Sequence, residues 1–109
     1  MTIYHGNAKK EWEESLLQEE EHYSPFIDTI YRIETKNGLI EVNNPIWTNI
    51  TAIYENDRSS KTYIARFVLN HKEKIDIFTE NIICIREIKL GIYDYDPLKK
   101  EITLTHIDK

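Results

Sequence analysis

The feature that most constrains the fold is a run of seven β-rich segments that occupies the chain after Pro25. Isoleucine, threonine, tyrosine and valine dominate these segments, and such β-branched and aromatic residues favour strands. Turn-forming residues separate most of them. Asn37-Gly38 is the strongest hairpin signal, because a type I′ turn needs positive φ at both central residues. The segments read IDTIYRIET, GLIEV, IWTNITAIYE, KTYIARFVLN, KIDIFT, IICIREIKL and EITLTHI.

The short connections between these segments favour antiparallel neighbours, because a parallel pair needs a crossover of about a dozen residues or more. The segment KTYIARFVLN carries apolar residues on both faces, which is typical of a central strand covered on both sides. Gly91, inside a long strand-like run, predicts a β-bulge or a bend. The pattern predicts a six- to seven-stranded antiparallel meander over residues 27–107, strongly curved or closed into a small barrel.

One helix is predicted ahead of the strands, over residues 7–23. Trp12, Leu16 and Tyr23 fall within a narrow arc at helical spacing, and most other positions are charged or polar. The helix is expected to end before Pro25, because the residue that precedes a proline avoids the α region. We expect it to pack on one face of the sheet or across one open end.

Length and composition indicate a single α+β domain, residues 1–109, with 40% hydrophobic and 30% charged residues. The one cysteine, Cys84, excludes an internal disulfide and lies in an apolar run typical of a buried structural thiol. Neither a signal peptide nor a membrane-spanning segment is recognised, so a cytoplasmic protein is expected. Isoleucine, lysine, asparagine and tyrosine make up 43 residues, a usage typical of an AT-rich bacterium or of its phages and plasmids.

The most unusual charge feature is the segment 11–22, which contains six glutamates and no lysine or arginine. It carries −6 while the whole chain carries −5, so the rest of the chain sums to +1. Lys9 and Lys10 lie near the positive end of the predicted helix dipole and the glutamates at 19–21 near its negative end, which is the less stable order. This placement argues for a functional acidic surface, whereas a charge run is more often the ordinary solvated face of a helix, and both interpretations are kept.

A working acidic surface would attract a partner protein with a basic surface and speed its association. An exposed Trp12 would add an aromatic anchor, but packing of this side chain against the sheet is favoured. The predicted protein-interaction residues are Trp12, Glu13, Glu14, Glu19, Glu20 and Glu21.

An alternative surface is predicted at the turns. In an up-and-down meander, alternate turns share one end of the sheet, so their basic residues would form a cluster able to contact phosphates. The alternative nucleic-acid contacts are Lys36, Arg58, Lys61, Lys99 and Lys100.

No catalytic residue, metal ligand or cofactor is predicted. The four histidines follow no ligand spacing, and the chain lacks a nucleophile elbow and a phosphate-binding glycine loop. Asp94 and Asp96 share one side of a strand, as a cation site would require, but such a pair before a proline more often begins a turn.

The sequence therefore predicts a non-enzymatic binding module encoded by a phage or another mobile element, acting as an inhibitor or immunity-type protein. The alternatives are a small β-barrel that contacts nucleic acid and a phage structural or assembly component.

Overall fold

The computed structural model describes residues 1–18, 23–54 and 61–107, and within them eight strands and one α-helix. One short strand precedes the helix, and the other seven follow it. In chain order the elements are β1 (Thr2–His5), α1 (Ala8–Ser15), β2 (Phe26–Thr35), β3 (Gly38–Asn43), β4 (Trp47–Tyr54), β5 (Lys61–Val68), β6 (Lys74–Phe78), a single 3₁₀ turn (Thr79–Asn81), β7 (Ile82–Asp96) and β8 (Glu101–His106).

The strands form two sheets, one with the order β1-β3-β2-β7-β8 and one with the order β4-β5-β6. Side chains alternate between the two faces of a strand, so every second residue of β2 and of β5 points between the sheets. These inward side chains and their neighbours make one apolar core, and the domain is a two-layer β-sandwich. The buried core consists of Ile33, Val42, Ala65, Phe67, Leu69 and Ile77.

The prediction of a closed barrel is wrong. The described strands form two separate sheets, and each sheet keeps two edge strands. The chain leaves the first sheet after β3 and enters the second at Ile46, whose N–H donates to the carbonyl of Val68 at 2.9 Å. A sandwich and a barrel show the same alternation along each strand, so the local pattern does not separate them.

The predicted order of a helix followed by an antiparallel meander broadly fits the structure, but β1 is an additional strand that was not predicted. This four-residue strand pairs in parallel with β3, with Tyr4 opposite Val42. The rest of the pairing is antiparallel, as predicted. A strand of four residues with little alternation carries too weak a signal to separate it from the predicted start of the helix.

A tight corner joins β1, β2 and β3. Asn44 has a positive φ of 49° and is 5% exposed. Its Oδ1 accepts a hydrogen bond from the Thr29 N–H at 2.8 Å, and its Nδ2 donates to Asp28 Oδ1 at 2.7 Å. Gly6 lies against the same corner, where its N–H donates to the carbonyl of Asn43 at 2.7 Å. The corner is therefore held by buried polar contacts that a side chain at position 6 would disturb.

The β2–β3 hairpin lies where it was predicted, but its turn is of another type. Thr35 pairs with Gly38, so the two central residues are Lys36 and Asn37. Neither has a positive φ, which excludes type I′. Gly38 itself takes the positive φ, at 133°, as the first residue of β3.

The predictions for β5 and Gly91 are confirmed. β5 is the central strand of its sheet, and Ile64 and Phe67, on its two faces, are both buried. A register shift in the β2–β7 pairing lies beside Gly91, where Leu90 is the extra residue. A Cβ on Gly91 would lie 2.8 Å from Leu104 Cδ1 and 2.9 Å from the Thr105 carbonyl oxygen. The absence of a side chain at Gly91 thus lets β8 pass close to β7.

The helix is shorter than the predicted 7–23, since α1 covers only Ala8–Ser15. Ser15 Oγ donates to the Trp12 carbonyl at 2.6 Å, a local bond that competes with helix propagation. Tyr23 lies outside the helix and donates its hydroxyl to the carbonyls of Leu16 and Gln18. Among the described residues, no helix combines the length and the apolar character needed to cross a membrane.

Candidate interaction surfaces

The short helix is fixed to the sheet by aromatic contacts. The Trp12 ring lies 5.8 Å from the Phe26 ring and 6.4 Å from the Tyr93 ring. Its Nε1 donates to the carbonyl of Ser24 at 2.7 Å. Trp12 therefore serves as the packing residue that the sequence favoured, and its indole N–H is already used within the molecule.

Lys9 packs on Tyr93, one of the two rings that contact Trp12. Its Nζ is 4.4 Å from the centroid of the Tyr93 ring and 3.5 Å from Glu13 Oε1. Burial opposes the charged form, but the contacts with Tyr93 and Glu13 outweigh it and raise the pKa of Lys9. One of the two lysines of α1 is thereby held against the sheet.

Of the six glutamates in the segment 11–22, three lie on α1 and three lie outside the described residues. Glu13 and Glu14 are exposed, and Glu14 has no ion pair with a described residue. Glu11 lies 3.2 Å from His71 Nε2, in the turn after β5. Two lysines and three glutamates give α1 a net charge of only −1. The strong local charge therefore depends on Glu19, Glu20 and Glu21, which lie outside the described residues.

The described basic turns do not share one end of the sheet, contrary to the expectation for a meander. Lys36 lies in the turn between β2 and β3, and Lys99 and Lys100 lie between β7 and β8. Because β2 and β7 are antiparallel, the first turn is at the end where Thr35 meets Ile82, and the second is beyond the opposite end. Arg58 lies outside the described residues, as does the side chain of Lys61.

Asp96, the second residue of the acidic pair at the end of β7, shapes a turn. Asp96 Oδ1 accepts hydrogen bonds from the backbone N–H groups of Leu98 at 2.9 Å and Lys99 at 3.3 Å. Such bonds are typical of an aspartate that begins a turn. Within residues 1–18, 23–54 and 61–107, no three histidine, cysteine or acidic side chains are grouped as metal ligands.

A basic and aromatic face on the second sheet was not predicted. Trp47 is 50% exposed on the outer face of β4, in one row with Val68 and Lys74. In the next row Arg66 donates from Nε and Nη2 to the Asp76 carboxylate at 2.8 and 3.0 Å. These hydrogen bonds lower the pKa of Asp76. Only the pairing of β4, β5 and β6 brings these residues together, so no local sequence signal marks them.

The second missed feature is an open side of the sandwich, along the first half of β7, which no other described strand covers beyond β2. This strand has 15 residues, whereas β8 pairs only with its last part, from Gly91 to Asp96. Ile83 and Ile85 are 65% and 38% exposed on the uncovered half. The length of the run 82–96, beside the short segment EITLTHI, is the sequence signal that indicates such an overhang.

Comparisons of this chain with protein-family models, with curated proteins and with solved structures found no match.

Proposed function

We propose that this protein is a non-enzymatic binding module that acts by occupying a partner protein, in the manner of an inhibitor or immunity protein of a phage or plasmid. The observation that carries the proposal is the anchoring of α1. Trp12 packs on Phe26 and Tyr93, and this contact turns Glu13 and Glu14 to solvent. A helix fixed in this way presents its charges in one orientation, which suits recognition of a basic surface.

We expect the partner to contact the glutamates predicted from sequence, but not Trp12. Trp12 is committed to the sheet, so it is not available as an anchor. Leu17, two residues after the end of α1, is 85% exposed and precedes the glutamates at 19–21 in the chain. We therefore infer that Leu17 supplies apolar contact and that the glutamates on either side supply the electrostatic attraction.

The test is affinity capture from a bacterial lysate, followed by association kinetics with the purified partner at several salt concentrations. Reversing the charge of the five acids should slow association by about tenfold or more and flatten its salt dependence. The two variants are Glu13/Glu14→Lys and Glu19/Glu20/Glu21→Lys.

A matched control reverses three exposed acids elsewhere, Glu34, Glu80 and Glu101, each to lysine. This control changes the net charge as much as the triple variant does and should leave association close to wild type. Equal effects of the two triple variants would mean that only total charge matters. Capture of no protein, or unchanged kinetics in both acidic-segment variants, would contradict the proposal.

A further inference from the structure

The open side of the sandwich leaves room for one more strand. On one edge, residues 82–89 of β7 lie beside β2 and pair with it except at a register shift where Ile83 is the extra residue, and on the other edge no described strand pairs with them. β8 approaches from the far end and stops where the Ile107 N–H donates to the Leu90 carbonyl at 3.2 Å. A long free edge of this kind presents backbone donors and acceptors that pair readily with another chain.

An apolar crevice lies directly beside this edge. Its volume is about 160 Å³, and it lies between the two sheets. Ile85, which shares the inner face with the buried Ile33, lines the crevice at the free edge. An inward-pointing side chain from an added strand would enter this space. The other residues that line the crevice are Tyr31, Thr48, Asn49, Ala65, Arg66 and Phe67.

The outer face of the same edge has a positive charge that no described carboxylate compensates. Glu41, Arg32 and Arg86 lie in one row across β3, β2 and β7. Arg32 Nε contacts Glu41 Oε1 at 3.2 Å. The carboxylate of Glu41 therefore pairs with Arg32, at the far side of β2 from Arg86. Arg86 faces another guanidinium and has no ion pair with a described residue, and like charges directly opposite each other are destabilising. The next position in this row, beyond Arg86 at the free edge of β7, would be filled by a residue of an added strand.

We propose that a β-strand of a partner protein adds to β7 along residues 82–89, with an apolar side chain opposite Ile85 and a carboxylate opposite Arg86. Successive residues of a strand point to opposite faces, so one apolar residue beside one acidic residue meets both requirements. Main-chain hydrogen bonds supply affinity in this mode, and the crevice and Arg86 supply specificity. This surface is distinct from the acidic segment and does not depend on it.

A second copy of this chain fits the same edge less well. In a two-fold antiparallel pairing, opposite residues must lie on the same face of the sheet. Arg86 and Glu87 point to opposite faces, so no symmetric register of 82–89 with itself places Glu87 opposite Arg86. A register centred on position 86 would place two arginines against each other. Charge complementarity therefore favours a foreign strand.

The test uses two synthetic ten-residue peptides that alternate valine with polar residues. One carries a single glutamate in the middle, and the other carries lysine at that position. Each is titrated into the isotopically labelled full chain and followed by backbone amide chemical shifts. The glutamate peptide should shift amides of residues 82–89 and bind about threefold to fivefold more tightly than the lysine peptide, the size of one cross-strand ion pair.

The variant Arg86→Glu should reverse this preference, whereas Lys99→Glu, with the same change of charge, should keep it. Three results would overturn the proposal: no shifts at millimolar peptide, equal binding of both peptides to wild type, or shifts centred on β8. A concentration-dependent dimer in sedimentation that Ile83→Lys abolishes would assign the edge to a second copy, and would likewise overturn it. The wild-type titrations decide the question even if a variant does not fold. They are independent of the lysate capture, so the two proposals fail separately.

Discussion

Replacing Ile33 by alanine is expected to lower the free energy of unfolding by about 4 kcal/mol. Ile33 is fully buried near the C-terminal end of β2, with Ile40 beside it on β3 and Ile85 on β7. Removing its three outer carbons leaves a void between two hydrogen-bonded sheets that cannot easily collapse. The loss would be a large fraction of the ~5–15 kcal/mol that holds a typical domain together.

Urea denaturation followed by circular dichroism measures this loss. The matched control is Ile83→Ala, which removes the same atoms from a side chain that is 65% exposed. It should change the stability by less than about 1 kcal/mol. Similar losses in the two variants would mean that Ile33 does not lie at the centre of the sandwich core.

Replacing Gly6 by alanine is expected to destabilise the protein by about 2–3 kcal/mol. A Cβ at this position would lie 2.3 Å from the Asn44 carbonyl oxygen and 2.6 Å from Pro45 Cα. Both are backbone atoms at the corner that joins β1, β2 and β3, so relief of the clash requires the corner to move. That movement would weaken the Asn44 hydrogen bonds to Asp28 and Thr29 as well.

Thermal unfolding and the amide shifts of β1 and β3 report this effect. Gly38→Ala is the informative comparison, because a Cβ there meets no atom within 4 Å, although the φ of +133° remains strained. The loss at Gly38 should be smaller, and the shifts of β1 should be unchanged. A Gly6→Ala variant as stable as wild type would contradict the close contact between β1 and the corner.

The parts of the fold that were predictable depend on local chemistry. β-Branched residues and turn residues alternate clearly after Pro25, so the strands from β2 onward and the β2–β3 hairpin were recognised. The apolar residues on both faces of KTYIARFVLN placed β5 at a sheet centre, and Gly91 marked a bulge.

The remaining features depend on contacts between residues far apart in the chain. The division into two sheets is decided by strand pairing, which the alternation of one strand does not encode. β1 forms only because β3 is available beside it. Lys36 and Lys99 were predicted to share one end of the sheet, but β7 runs antiparallel to its direct neighbour β2 and separates them.

The candidate surfaces were less predictable than the fold. The periodicity favoured packing of Trp12, and the contacts with Phe26 and Tyr93 agree with it. The exposed position of Leu17, the free edge of β7 and the row that leaves Arg86 without a carboxylate all require the three-dimensional pairing. The number of charged residues along the chain does not indicate which of them become neighbours in a row across the sheet.

Hydrogen–deuterium exchange of the protein, free and in complex with the partner captured from lysate, tests whether the acidic segment is the contact surface. Binding is expected to slow exchange most in residues 11–23, where the acidic segment lies, with the amides of β1 and β6 little changed. Protection confined to other parts of the chain, with residues 11–23 exchanging as fast as in the free protein, would contradict this expectation.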